Sequence, residues 1–231
     1  MNSVIVVAAG NSSRMKNKMS KQLLEIGGVP VIVRTLLTFC SLNEIDSVTI
    51  VTRKSEFEVF REYIKKYNIT KVRSVIEGGD TRQKSVLCGL KSLCCSDDDN
   101  VLIHDGARPF IKKEVILKII AALNSGSVTA AAVGVPVKDT IKQLSRDGYV
   151  AGTPDRSALY SIQTPQAFKY KLILNAHIEA AKNGISVTDD CAVLEAVCNE
   201  KILIIKGDYD NIKITTPEDI ILGESIANGL K

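Results

Sequence analysis

Short apolar runs alternate along this chain with stretches in which apolar residues recur every three or four positions. Residues 4–8, 47–52, 71–76, 100–104, 129–135 and 201–206 form runs of strand length, several rich in β-branched residues. Residues 29–39, 55–67, 81–94, 112–124, 169–183, 189–199 and 216–227 carry helical spacing, with Ser55 expected as an N-cap and Pro217 near a first turn. Strands that are apolar throughout are covered on both faces. The alternation therefore predicts an α/β fold, a Rossmann-like, mostly parallel sheet with helices on both faces. The rhythm breaks at Pro136. Within residues 137–163, Asp147-Gly148 is a turn signal between Thr140-Ile141-Lys142-Gln143-Leu144 and Tyr149-Val150-Ala151, which predicts a hairpin projecting from the sheet. With no repeat, low-complexity tract or linker, the pattern predicts one domain over residues 1–231 with an inserted arm.

Composition narrows the functional classes. The chain has 231 residues, 45% hydrophobic, enough for a full core. A net charge of +4 suits a small anionic substrate, while the absence of Trp and the 5% aromatic content argue against a nucleic-acid stacking surface. The six cysteines show no paired metal-ligand spacing, and adjacent Cys94-Cys95 makes a poor disulfide framework, so a reducing compartment is expected. The chain enters a strand directly and holds no apolar run of membrane-spanning length, which predicts a soluble cytoplasmic protein.

Four segments at predicted strand ends carry chemistry, and ligands of open α/β sheets bind outside the carboxyl ends of strands. The first is residues 8–21, a loop of small residues around Ala8, Ala9 and Gly10 with Arg14, Lys16, Lys18 and Lys21. It is either a solvated basic loop or a polyphosphate cradle, in which backbone N–H groups approach oxygen atoms and cations neutralise them. The second is Glu77-Gly78-Gly79-Asp80-Thr81-Arg82-Gln83-Lys84-Ser85, which opens a helix. Here Asp80 is suited either to capping that helix or to base and phosphate contact. In the third, His104-Asp105-Gly106-Ala107-Arg108-Pro109, Asp105 is placed as a metal ligand and His104 reads as a packed histidine. Arg108 is suited to a phosphate or to a neighbouring acid. The fourth, residues 207–219, offers Asp210 as a second metal carboxylate and Lys213 as another phosphate contact. Many cations, two candidate metal carboxylates and no nucleophile–base pair suit phosphoryl or nucleotidyl transfer.

In order, Ala8-Ala9-Gly10 with Arg14-Met15 and Ser20-Lys21-Gln22, Gly78-Gly79-Asp80-x-Arg82-x-x-Ser85, His104 to Pro109, Asp139-Thr140, Thr164-Pro165-Gln166, Thr188-Asp189-Asp190 and Asp210 to Thr215 resemble the 2-C-methyl-D-erythritol 4-phosphate cytidylyltransferase family of the non-mevalonate isoprenoid pathway. The resemblance spans nearly the whole chain. It implies a nucleotide-diphospho-sugar transferase type of sheet and transfer of CMP from CTP to methylerythritol phosphate, with Mg²⁺ and release of pyrophosphate. Carried over by position, Arg14, Lys21 and Lys213 would be catalytic. Ala8, Ala9, Gly10, Gly79, Asp80, Arg82, Ser85 and Gly106 would bind CTP. Asp105, Arg108, Thr140, Arg156, Thr164 and Lys213 would bind the acceptor, and Asp105 with Asp210 the metal. The resemblance also implies a homodimer through an arm at about residues 137–160, with Arg156 reaching the partner's site. One departure is Gly106, where the family commonly has Ala: glycine is smaller and more flexible, which bears on the order of this loop. The competing readings are a cytidylyltransferase for ribitol 5-phosphate, an inactive nucleotide-binding homologue and a nucleic-acid-binding domain.

Overall fold

The computed structural model describes residues 1–10 and 20–229. Its centre is a sheet built from β1 (Asn2–Val7), β4 (Ser47–Thr52), β5 (Val72–Glu77), β6 (Asn100–Asp105), β7 (Ala130–Pro136), β10 (Tyr160–Lys169) and β11 (Leu203–Lys206). Two short pairs stand outside it: β2 (Glu25–Ile26) with β3 (Val29–Pro30), and β8 (Gln143–Leu144) with β9 (Val150–Gly152), both antiparallel. The strand order in the main sheet is β11-β7-β10-β6-β1-β4-β5. Only β10 runs against its neighbours β6 and β7; the other pairings are parallel.

The strand pleat divides each central strand between two cores. In β1, Val4 and Val6 join Leu102 of β6 and Val133 of β7 on one face, while Ile5 and Val7 join Val101, Ile103 and Ala132 on the other. Helices α1 (Val31–Cys40), α2 (Phe57–Lys66) and α4 (Lys113–Asn124) cover the first face through Ile32, Leu36, Phe60, Ile116 and Ile120. Helices α3 (Arg82–Ser92), α5 (Tyr170–Lys182) and α6 (Asp190–Val197) cover the second through Val86, Leu90, Ile173, Val193 and Leu194. Helix α7 (Pro217–Gly229) closes a smaller cluster of Ile26, Val31, Phe110, Ile214 and Ala227. Because both faces of β1 and β6 are buried, their central runs, Val4 to Val7 and Val101 to Ile103, are apolar without alternation.

The structure corrects the sequence at several points. Residues 160–163 are not part of the hairpin segment but open β10, a ten-residue strand that the pattern missed. Its composition is polar and includes Pro165, which lacks an N–H for the ladder. Pairing with β7 shifts register between Ile162 and Gln166, and that irregularity accommodates the proline. Helix α1 starts at Val31 rather than residue 29, since Val29 and Pro30 pair with β2. Ser55 does not cap α2, because residues 54–56 form a 3₁₀ turn ahead of it. Asp80 does not cap α3: Thr81 does, its hydroxyl accepting from the Lys84 N–H at 3.1 Å.

Candidate active site

Strands β1, β4, β5 and β6 end together, and their carboxyl ends frame a cleft of about 470 Å³. Among the described residues, Ala9, Gly10 and Lys21 line it from the segment after β1, Gly79, Asp80, Arg82 and Ser85 from the start of α3, and Asp105 and Lys213 from β6 and the segment before α7. Two parallel strands flanking β1 on opposite sides create a crevice at their carboxyl ends, the usual ligand position in an open α/β sheet.

Close backbone approach builds the wall beside α3. The Gly78 N–H donates to Thr52 O at 2.9 Å, and a Cβ on Gly78 would stand 2.6 Å from the Ala9 methyl. Ser85 sits buried on the first turn of α3, and its hydroxyl accepts from the Gly79 N–H at 3.1 Å. It therefore holds the turn while facing the cleft. Asp80 is largely exposed and pairs with Lys84 at 3.1 Å.

Asp105, the last residue of β6, organises the charge. Its Oδ2 lies 2.8 Å from Lys213 Nζ and 3.6 Å from Arg108 Nε, and its Oδ1 accepts from Arg82 Nε at 3.2 Å. Arg82 also donates through Nη2 to Asp190 Oδ2 at 2.7 Å. Burial pushes the Asp105 carboxyl up, but Arg82, Lys213 and Arg108 outweigh it and hold the group well below the usual carboxylate range. Burial likewise opposes ionisation of Asp190, and Arg82 with His177 overcomes it. Burial opposes the charge on Arg82, yet Asp190 and Asp105 raise its pKa further. Three cations therefore face two carboxylates, and the cluster carries a net positive charge.

His104 is fully buried, edge-on to Phe39 at 4.9 Å, with Nε2 3.0 Å from Arg108 O and Nδ1 3.0 Å from Thr164 Oγ1. Burial pushes its pKa down to about 4. It is a neutral strut near pH 7, as expected of a packed histidine.

Other predicted residues fall outside the cleft lining. Ala8 is buried, its N–H donating to Val51 O at 2.7 Å. Thr164 is buried, and its hydroxyl accepts from the Asp105 N–H at 3.0 Å and pairs with His104. Arg108 donates to Asn211 O at 2.7 Å, and its Nε lies 3.6 Å from Asp105 Oδ2. Thr140 and Arg156 are exposed on the segment around β8 and β9, with Arg156 donating to Lys138 O at 2.9 Å. Asp210 lines a different hollow, with Pro109, Lys112 and Lys113, and so is not brought together with Asp105. No three His, Cys, Asp or Glu side chains gather as a metal site among the described residues. The cleft lining offers a cation the carboxylates of Glu77, Asp80 and Asp105, of which Asp105 is the buried one, with the remaining ligands left to substrate oxygens. Arg14, Met15, Lys16 and Lys18 lie outside the described residues.

Gly106 is not a loosened point. Its N–H donates to Val7 O at 2.9 Å, and an added Cβ would meet Ile32 Cδ1 at 2.9 Å and Val7 O at 3.2 Å. The glycine is fitted to a large neighbour. Sequence reasoning passed over Arg53, which lines the cleft beside Glu77 and Thr81 of the second segment. Arg53 is held by Ser20 and Glu56. A lone basic residue just past a strand was the available signal.

No helix among the described residues is long and apolar enough to cross a membrane. The profile of the 2-C-methyl-D-erythritol 4-phosphate cytidylyltransferase family matches residues 2–228. The enzyme of that name from Clostridium novyi (strain NT) is 45% identical over 231 residues, covering 100% of this chain and 98% of its own. The one from Bacillus licheniformis is 40% identical over 228 residues, covering 99% and 96%. The crystal structure of 4-diphosphocytidyl-2C-methyl-D-erythritol synthase from Anaerococcus prevotii DSM 20548 superposes with a TM-score of 0.87 at 38% identity, over 98% of this chain and 96% of that one. With a matching fold and identity sustained from end to end, the chain belongs to the 2-C-methyl-D-erythritol 4-phosphate cytidylyltransferase family.

Proposed function

We propose that the chain transfers CMP from CTP to 2-C-methyl-D-erythritol 4-phosphate, giving 4-diphosphocytidyl-2-C-methyl-D-erythritol and pyrophosphate. The observation that carries this reading is Asp105, buried at a strand end and ion-paired with Arg82 and Lys213 on one wall of the cleft. An acceptor phosphate oxygen attacks the α-phosphorus, the bond to the β-phosphoryl oxygen breaks, and pyrophosphate departs in line. A phosphate monoester is mostly dianionic at pH 7, so the step requires no strong general base. It requires that two anions meet, which cations of the site make favourable.

Lys21 and Lys213 supply charge at the α-phosphorus, with Arg14 added from the same loop. Gly79, Asp80, Arg82 and Ser85 receive the cytidine and its phosphates along the start of α3, with Ala9 and Gly10 shaping the wall around them and Ala8 and Gly106 packed behind that lining. Asp105 spaces Lys213 from Arg82, so the positive groups are oriented before substrate arrives. A divalent cation would be held by Asp105 together with triphosphate oxygens, where it supplies further neutralisation of the phosphates.

Arg156 of a second copy would complete the acceptor site, with Thr140 on the same exposed arm. Leu144, Tyr149 and Val150 on the hairpin are 60%, 74% and 60% exposed, which supports a homodimer through the arm at residues 137–160. The arm is an insertion in one domain, since the main sheet draws its strands from Asn2 through Lys206. The six cysteines are unpaired, which supports a reducing, cytoplasmic location. Phosphorus NMR of CTP, Mg²⁺ and methylerythritol phosphate tests the reading. It should show the acceptor monoester resonance replaced by two coupled diphosphate resonances, with free pyrophosphate. Loss of the γ-phosphate alone would overturn it.

A further inference from the structure

Arg82 faces the cleft, but it is gripped from the protein interior. Its Nη2 donates to Asp190 Oδ2 at 2.7 Å, and the other oxygen of Asp190 lies 3.2 Å from Nε2 of His177. The His177 and Asp190 side chains are 0% and 1% exposed. An ionised carboxylate only accepts, so His177 donates from Nε2. Its Nδ1 is buried without a hydrogen-bond partner among the described residues.

That arrangement is costly for packing alone. An imidazole taken out of water on an apolar helix face is less favourable than an apolar side chain of similar size. Its neighbours on the buried face of α5 are Ile173, Ala176 and Ala180, all apolar. What His177 adds is a fixed direction for Asp190. The Asp190 N–H is already held by Gln166 Oε1 at 3.0 Å, so backbone and carboxylate are both pinned. The line of contacts then runs from His177 on α5 through Asp190 on α6 to Arg82 on α3, and on to Asp105 in the cleft.

We infer that His177 is a positioning residue for the nucleotide: through Asp190 it fixes the direction in which Arg82 presents its guanidinium to CTP. The inference rests on Arg82 contacting CTP, as proposed above. Without the imidazole, Asp190 Oδ1 loses its donor, the carboxylate turns, and Arg82 is no longer aimed. The effect falls on CTP affinity.

A double-mutant cycle tests it, with the CTP Kd measured calorimetrically in Mg²⁺ and thermal midpoints recorded in parallel. His177→Phe should weaken CTP binding about tenfold, the scale of one hydrogen bond to a charged group. His177→Gln, which keeps a donor, should stay within about threefold of the parent protein. In an Arg82→Ala background, His177→Phe should change the Kd by less than about twofold. A purely structural histidine would lower the midpoint and leave the Kd alone, or weaken binding equally in both backgrounds, and either result overturns the inference. If Arg82→Ala by itself leaves CTP binding intact, the role given to Arg82 fails first. Should His177→Phe not fold, His177→Ala is assayed with imidazole, since a hollow of about 250 Å³ reaches His177. Imidazole should restore CTP affinity and thiophene should not; equal restoration by both, or none, overturns the inference.

Discussion

His104 makes the stability of this enzyme depend on pH in a window where few other groups titrate. In the folded chain the imidazole is fully buried between Phe39, Thr164 and Arg108, and its pKa falls from 6.5 to about 4. In the unfolded chain it returns to about 6.5. Between those values the unfolded state binds a proton that the folded state refuses, so stability rises with pH across the window and is lost on acidification. From pH 7.5 to pH 5.0 the proton linkage of this one group amounts to about 2 kcal/mol. Asp105 and Asp190, whose pKa values are lowered, keep their stabilisation at pH 5 and lose it only as pH falls through and below the ordinary carboxylate range near 3.8, so they add little to the change between pH 7.5 and pH 5.0. Urea unfolding at both pH values gives the difference directly. His104→Asn keeps a polar side chain in the space and should remove about 2 kcal/mol of the pH dependence, at some cost in overall stability. An unchanged pH dependence in that variant would refute the assignment of His104 as a buried neutral strut.

Three further outcomes follow from the site and its surroundings. Lys21→Ala should slow turnover about 100-fold or more with the fold retained, as for loss of one charge-stabilising contact, and near-parental turnover would remove Lys21 from the mechanism. Gly106→Ala should destabilise the protein by about 1–3 kcal/mol through the clash with Ile32, and Ile32→Val should recover part of that loss in the double variant; denaturant midpoints decide. Leu144→Asp with Val150→Asp should convert a dimer to a monomer in sedimentation velocity and depress turnover, and a dimer of unchanged affinity would rule out the arm as the interface.

Much of the sheet was legible because its central strands are buried on both faces. Val4 to Val7 and Val101 to Ile103 have no polar alternative that a solvent-facing strand would need, so a run of apolar residues has one reading. Strand β10 was illegible for the opposite reason. Its Gln163, Thr164 and Gln166 are buried polar residues satisfied by partners distant in sequence, and Pro165 argues locally against a strand. Caps were misassigned where two acceptable cap residues stood side by side, as with Asp80 and Thr81. For the site, the segments were findable because each follows a strand that points to the same sheet edge. The contacts among them were not. Arg82 and Asp190 are far apart in the chain, and only the packing of α6 against α5 beside α3 brings them to 2.7 Å. His177 carried no motif signal of its own, since a histidine on an apolar helical face reads as core until the carboxylate opposite it is known.

The central claim is a choice of acceptor at a cytidylyl-transfer site. Pyrophosphate release from CTP and Mg²⁺ should be followed with methylerythritol phosphate and ribitol 5-phosphate in parallel. The account predicts release with methylerythritol phosphate and none above background with ribitol 5-phosphate. Release with ribitol 5-phosphate alone would contradict the acceptor, and release with neither would contradict the proposed reaction.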